Sequence, residues 1–180
     1  MTYELNIEQD TSPINPRDKD WTDCNLGKMI CFHSRYFLGD KHDYSQKDYN
    51  SWEELEIQLE RDFKTGIIIP LYLYDHGGIT MSTTPFSCRW DSGQVGFIVC
   101  DREQVKKVMG WKRITLKRAE VLEAYLRNEV KTYDQYLRGD IYGYCITDEE
   151  DNSIESCWGY YCKDVAQKDG ESMLECLQTK

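Results

Sequence analysis

Ser51-Trp52-Glu53-Glu54-Leu55-Glu56-Ile57-Gln58-Leu59-Glu60-Arg61-Asp62-Phe63 is followed, after Lys64-Thr65-Gly66, by Ile67-Ile68-Ile69-Pro70-Leu71-Tyr72-Leu73-Tyr74. In the first stretch Trp52, Leu55, Leu59 and Phe63 recur at helical spacing and share one face. Ser51 and Glu54 form a capping box, the hydroxyl accepting from the first turn while the carboxylate reaches back. Thr65-Gly66 is the expected stop. The second stretch is rich in β-branched and aromatic residues and short, so it reads as a strand; Pro70 places it at an edge or a bulge. A helix and a strand this close together indicate a chain that mixes both.

Working outward, further strands are expected over residues 3–7, 28–33, 94–100, 141–147 and 154–161, the last two forming a hairpin across residues 148–152. Asp101 with Gln104 caps a short helix ending at Gly110. The longest helix runs from Thr115 to about Arg138, with Leu122, Leu126, Val130, Tyr133 and Leu137 as its buried stripe. A weak helix is expected near residues 171–177. Residues 34–50 and 75–93 read as long loops, and loops of that length are often functional. The expectation is a single α+β domain over residues 1–180, with one mixed, mainly antiparallel sheet and helices on one face. Within it, residues 1–27 are loop-rich and residues 162–180 form a weakly ordered tail.

The net charge of −10 is uneven. Arg102, Lys106, Lys107, Lys112, Arg113, Lys117 and Arg118 stand against the single acid Glu103, a local +6 that leaves −16 for the rest. Acids cluster at residues 18–23, 53–60 and 148–151. Such a chain repels DNA overall and favours basic partners, with the basic segment as the exception. The stretch Met1-Thr2-Tyr3-Glu4-Leu5-Asn6-Ile7 has no charged-then-apolar leader, and no apolar run reaches the ~20 residues that span a bilayer. A soluble protein of the cytoplasm with reduced cysteines and no membrane contact is therefore expected.

The three histidines and eight cysteines are the first candidates for chemistry. His33, His42, Asp43, Asp75 and His76 all lie beside loops and suit a divalent-metal hydrolase site, but none has the i, i+4 spacing of a zinc helix. Cys88, beside the cation Arg89, is a candidate thiol nucleophile with His76 as base. It lacks the surrounding signature of a catalytic cysteine, and there is no C-x-x-C pair. Gly77-Gly78 is not followed by the Lys-Ser/Thr of a phosphate loop. These residues form the alternative, hydrolytic reading; the leading expectation is no enzyme, no metal and no cofactor. Lys106, Lys107, Lys112 and Arg113, with Trp111 among them, suit phosphate contact or an acidic partner and support a third reading, a nucleic-acid-binding accessory protein. Thr83, Phe86, Arg89 and Trp90 in the loop 75–93 suit recognition of a partner, as do Asp148, Glu149, Glu150 and Asp151 in the acidic turn.

Four runs carry a family resemblance: Leu71-Tyr72-Leu73-Tyr74-Asp75-His76-Gly77-Gly78-Ile79-Thr80-Met81-Ser82-Thr83-Thr84-Pro85-Phe86, Trp90-Asp91-Ser92-Gly93-Gln94-Val95-Gly96-Phe97-Ile98, Glu129-Val130-Lys131-Thr132-Tyr133-Asp134-Gln135-Tyr136-Leu137 and Ser156-Cys157-Trp158-Gly159. Together, over about residues 28–160, the chain resembles a family of small acidic proteins carried by phages, plasmids and integrative elements of Firmicutes. It is similar through that family to the type II anti-CRISPR proteins, inhibitors of Cas9. The resemblance implies a mobile-element protein, working in the host bacterial cytoplasm, that binds a host CRISPR-Cas effector, alone or with its guide RNA or DNA. It implies no catalytic residue, and a homodimer is left open.

Overall fold

Every residue from Val95 to Cys100 is buried, so this stretch is covered on both faces. It belongs to β5 (Ser92–Cys100), the strand around which residues 16–134 assemble. The computed structural model describes residues 2–18, 25–64 and 67–179, and the chain divides into two compact units. Residues 16–134 form one; residues 1–15 with 135–180 form the other.

In the larger unit β2 (Gly27–Cys31), β3 (Ile68–Asp75), β4 (Ile79–Ser82) and β5 make an antiparallel sheet in the order β2-β5-β3-β4. On one face Ile30, Phe97 and Val99 pack with Leu55 and Leu59 of α1 (Trp52–Phe63). The opposite face carries Ile98, which Leu126 of α3 (Leu116–Leu137) approaches beside Gly27. Helices thus cover both faces of this sheet rather than one. The reason is legible in β5, whose unbroken apolar run is the signature of a strand without a wet side. The α+β class and the antiparallel pairing are as expected. The strands, however, divide between two sheets where one was expected.

Ser51 Oγ accepts the Glu54 N–H at 3.3 Å, as the capping box requires. The Glu54 carboxylate reaches back to the Asn50 N–H at 2.8 Å, one residue further than the standard box. The helix ends at Lys64, left-handed at φ 54°; the expected stop, Thr65-Gly66, lies outside the described residues, as does most of the acidic run 18–23. Pro70 pairs only with β5, because β4 begins its pairing at Tyr72, and a bulge follows between Leu71 and Tyr72. Both expectations for that proline hold locally. The expected loop 75–93 is shorter than read: His76-Gly77-Gly78 is a tight turn, with Gly77 at φ 69°, that returns the chain as β4. Asp101 caps α2 (Arg102–Met109) by accepting the N–H groups of Glu103 and Gln104 at 2.8 and 3.1 Å.

In the smaller unit β1 (Glu4–Gln9), β6 (Tyr142–Thr147) and β7 (Ser153–Tyr160) pair antiparallel in the order β1-β6-β7. The β6–β7 hairpin turns where the acidic cluster predicts. Residues 162–180, expected to be weakly ordered with a helix only near 171–177, instead contain α4 (Lys163–Gln178). Buried Ala166 and Gly170 explain the difference: small side chains four residues apart let α4 settle against Leu5 and Tyr144. Neither residue stands out as apolar in a periodicity count. Among the described residues, no helix is long and apolar enough to cross a membrane.

Gly96 is the tightest point of the larger sheet. A Cβ there would stand 1.9 Å from the Ile30 carbonyl oxygen. Gly96→Ala must push β2 from β5, and urea unfolding is expected to show a loss of at least the ~1–3 kcal/mol typical of overpacking.

Candidate functional site

After β2 the chain enters an irregular segment held from beneath by buried charge. Arg17 and Asp40 have side chains only 2% and 5% exposed. The Arg17 guanidinium donates to Asp40 Oδ2, to Glu129 Oε2 at 2.8 Å and to the Gly27 carbonyl at 2.7 Å. Asp40 Oδ2 also accepts the Met29 N–H at 2.7 Å, and Glu129 Oε1 accepts the Leu26 N–H at 2.6 Å. Burial pushes the Glu129 carboxyl above its ordinary range, against the pull of Arg17 and of the two backbone donors. The segment is tied further by Gly39 N–H to the Tyr133 hydroxyl and Asp40 N–H to the Met29 carbonyl, both at 2.9 Å.

These ties fix what the segment displays. Leu38 is buried, while its neighbour Phe37 is exposed over its whole side chain at 106%. Beside it lies a hollow of about 410 Å³ lined in part by Cys31, His33, Tyr36 and His42. A second hollow of about 510 Å³, sharing Phe32 and His33, is lined by Arg35, Asp75 and Asp91 and rimmed by Trp90, itself 96% exposed. Two wholly exposed aromatics on the margins of adjoining hollows make a candidate recognition surface, since aromatics are enriched among the anchors of interfaces. Trp90 was expected to serve there. Phe37 was not, because one aromatic within a polar, tyrosine-rich stretch carries no periodic signal.

Of the candidate catalytic residues, His76 and Cys88 share one partner, Asp91, while His33, His42 and Asp75 have others. His33 stacks on Tyr36 with ring centroids 4.9 Å apart, and its Nδ1 accepts the Arg35 and Tyr36 N–H groups at 3.2 and 3.3 Å. Asp75 pairs with Arg35. His42 Nε2 lies 3.1 Å from the Cys31 carbonyl, its ring edge-on to Phe32. Asp43 is exposed and lines neither hollow. His76 Nδ1 and Cys88 Sγ approach the same oxygen, Asp91 Oδ2, at 3.4 and 3.6 Å. That order is wrong for a thiol nucleophile. The imidazole should stand between thiol and carboxylate to take the proton, whereas here the carboxylate stands between. Cys31, in the first hollow, is pushed up to about 12, chiefly by burial. Among the described residues no three His, Cys, Asp or Glu side chains are grouped to hold a metal ion.

The remaining expected partner residues divide. Thr83 accepts from Arg127 at 2.8 Å and Phe86 packs on Tyr74 with ring centroids 5.7 Å apart, so both are engaged within the fold. Arg89, Lys106, Lys107, Lys112 and Arg113 are exposed. Trp111 is covered by the Arg118 guanidinium, 4.7 Å above its ring, which removes one face for stacking a base. Asp148, Glu149, Glu150 and Asp151 form the β6–β7 turn. Asp148 Oδ1 organises it by accepting the N–H groups of Glu150 and Asn152 at 2.8 and 2.9 Å. Hydrogen bonds from the Asn152 side chain and backbone hold Asp148 below its ordinary range, and those from Thr2 do the same for Glu149.

The two units differ sharply in charge. Residues 1–15 and 135–180 carry thirteen acidic against four basic side chains, a net of −9. Residues 16–134 carry nineteen against eighteen, a net of −1, so nearly all of the protein's negative charge belongs to the smaller unit. No protein-family model, curated protein or solved structure matches the chain.

Two outcomes test this description. Arg17→Met strands two buried carboxylates and should cost about 3–5 kcal/mol in urea unfolding at neutral pH. The deficit should shrink as pH falls, because burial already raises the Glu129 carboxyl and its protonated form no longer needs a cation. Phe37→Ala and Trp90→Ala remove side chains that touch little else, so each should change stability by no more than about 0.5 kcal/mol.

Proposed function

We propose that the protein is a mobile-element-encoded inhibitor that binds a host CRISPR-Cas nuclease of the Cas9 type directly and catalyses no reaction itself. The observation that carries this reading is the concentration of charge, net −9, in the unit of residues 1–15 and 135–180. Nucleases of this class hold their heteroduplex in a positively charged channel. An acidic unit of fixed shape is complementary to such a channel and competes there with nucleic acid. The turn acids suit the task because the hydrogen bonds to Asp148 and Glu149 favour their ionised forms. Phe37 and Trp90 supply what charge alone lacks: desolvated aromatic anchors, worth about 1.5–3 kcal/mol each when fully covered. The family resemblance of the sequence supports the choice of partner.

The hydrolytic reading draws less support, since His33, His42 and Asp75 bond to other partners, and His76 and Cys88 meet at Asp91 with the carboxylate standing between them.

The test is co-purification of the chain with a Cas9-type effector, followed by a target-cleavage assay. A salt-sensitive complex and loss of cleavage are expected. Reversing Asp148, Glu149, Glu150 and Asp151 to lysine should weaken binding by about tenfold or more, whereas His76→Ala with Cys88→Ala should leave inhibition unchanged. Absence of any complex, with cleavage proceeding normally, would sink the proposal.

A further inference from the structure

β7 is exposed along its whole length except Tyr160, which is half-buried. It stands at the end of its sheet, paired with β6 alone. Between two irregularities in its pairing with β6, residues Glu155 to Trp158 keep a regular register, about 13 Å of edge on which every second residue points its backbone N–H and C=O away from the sheet.

Natural proteins blunt such edges, and this chain does so elsewhere. β4 is only four residues long, and its Met81 N–H is taken by Asp134 at 2.7 Å. β2 is covered by the bridge between Ile30 and Gly39 and by the bond from Asp40 N–H to the Met29 carbonyl. β1 is half-buried from Leu5 to Ile7. On β7 the protections are confined to its two ends, where its pairing with β6 is irregular at Ile154 and Gly159; the strand itself, Ser153-Ile154-Glu155-Ser156-Cys157-Trp158-Gly159-Tyr160, holds no proline, no lysine and one charge. Ile154 and Trp158, 42% and 44% exposed, add apolar surface beside the open backbone.

We infer that β7 is a docking edge that accepts an extended, lysine- or arginine-bearing segment of a partner protein as a fourth, added strand. Charge selects this occupant. The edge carries Glu155, it starts at the turn of Asp148, Glu149, Glu150 and Asp151, and its far end meets Asp169 through the Tyr160 hydroxyl. A second copy of the chain would bring another net −9 unit against the first, and a nucleic acid would bring its phosphates. A basic strand neutralises these carboxylates while its backbone completes the ladder, the division of labour by which added strands gain affinity and specificity. The inference rests on the proposed binding role only in that the partner is basic; it does not require the partner to be a nuclease.

The test uses the full chain and ten-residue peptides alternating lysine with valine. Three versions are compared: one unmodified and one N-methylated on each alternate set of backbone nitrogens. All three carry the same charge, but only one alternate set faces β7 in any register. The unmodified peptide and one methylated form are expected to bind, the other at least tenfold more weakly. Binding should slow amide exchange along Ser153–Tyr160 specifically. Equal binding of all three peptides would reduce the effect to electrostatics and overturn the inference. So would no binding, or protection elsewhere in the chain. Sedimentation of the free chain as a dimer with β7 amides already protected would assign the edge to a second copy instead. Each of these results stands apart from whether the chain inhibits a nuclease, so either proposal can fail alone.

Discussion

Arg17, Asp40 and Glu129 are three charged side chains held together beneath the surface, and the segment that displays Phe37 on the larger unit depends on them. Each alone would be costly to bury, and a pair removed from water often does no better than a hydrophobic substitute. What this set contributes is position. Its carboxylates also take the N–H groups of Leu26 and Met29, so the same side chains that neutralise Arg17 set the start of β2 and the return of the chain beside it. Arg17 and Glu129, 112 positions apart in the sequence, are joined at this one point. Phe37 can be wholly exposed and still be held in place because its neighbours Leu38, Gly39 and Asp40 are tied down.

The division of charge between the units completes this picture. One unit has near-balanced charge and displays aromatic side chains; the other holds most of the excess acid and an open strand edge. A catalytic centre needs groups that converge on one reacting atom. Here His33 and His42 instead meet backbone groups, and His76 and Cys88 meet the Asp91 carboxylate. Cys88, Asp91 and His76 come closest to a constellation and have the carboxylate in the wrong place.

Much of the fold was legible in the sequence, and the reasons are local. The capped, periodic run 51–63, the stripe from Leu122 to Tyr133 and the hairpin over 148–152 each carry a signal within a few residues. The tight turn at Gly77-Gly78 was legible too, as a glycine pair between apolar runs, and reading it as loop missed β4. Other features depend on residues far apart. Nothing near Arg17 announces that it meets Glu129, and nothing near Gly170 announces that α4 rests on Leu5. The separation into two sheets is likewise a matter of pairing, since β1 joins β6 across most of the chain. Of the candidate site, Trp90 and the acidic turn were found from the sequence because composition marks them. Phe37 and the exposed edge of β7 were not, because exposure is a property of what fails to cover a residue.

The central claim is that the aromatic-bearing segment is a rigid platform and not a mobile loop. Amide hydrogen exchange of the free protein tests it most directly, at Met29, Gly39 and Asp40, whose N–H groups are held by Asp40, Tyr133 and Met29. Exchange as slow as that of Phe97 and Ile98 in the centre of β5, limited by global unfolding, is the result the account predicts. Rapid exchange at Gly39 and Asp40 while β5 stays protected would contradict it, and would make Phe37 part of a segment that orders only on contact.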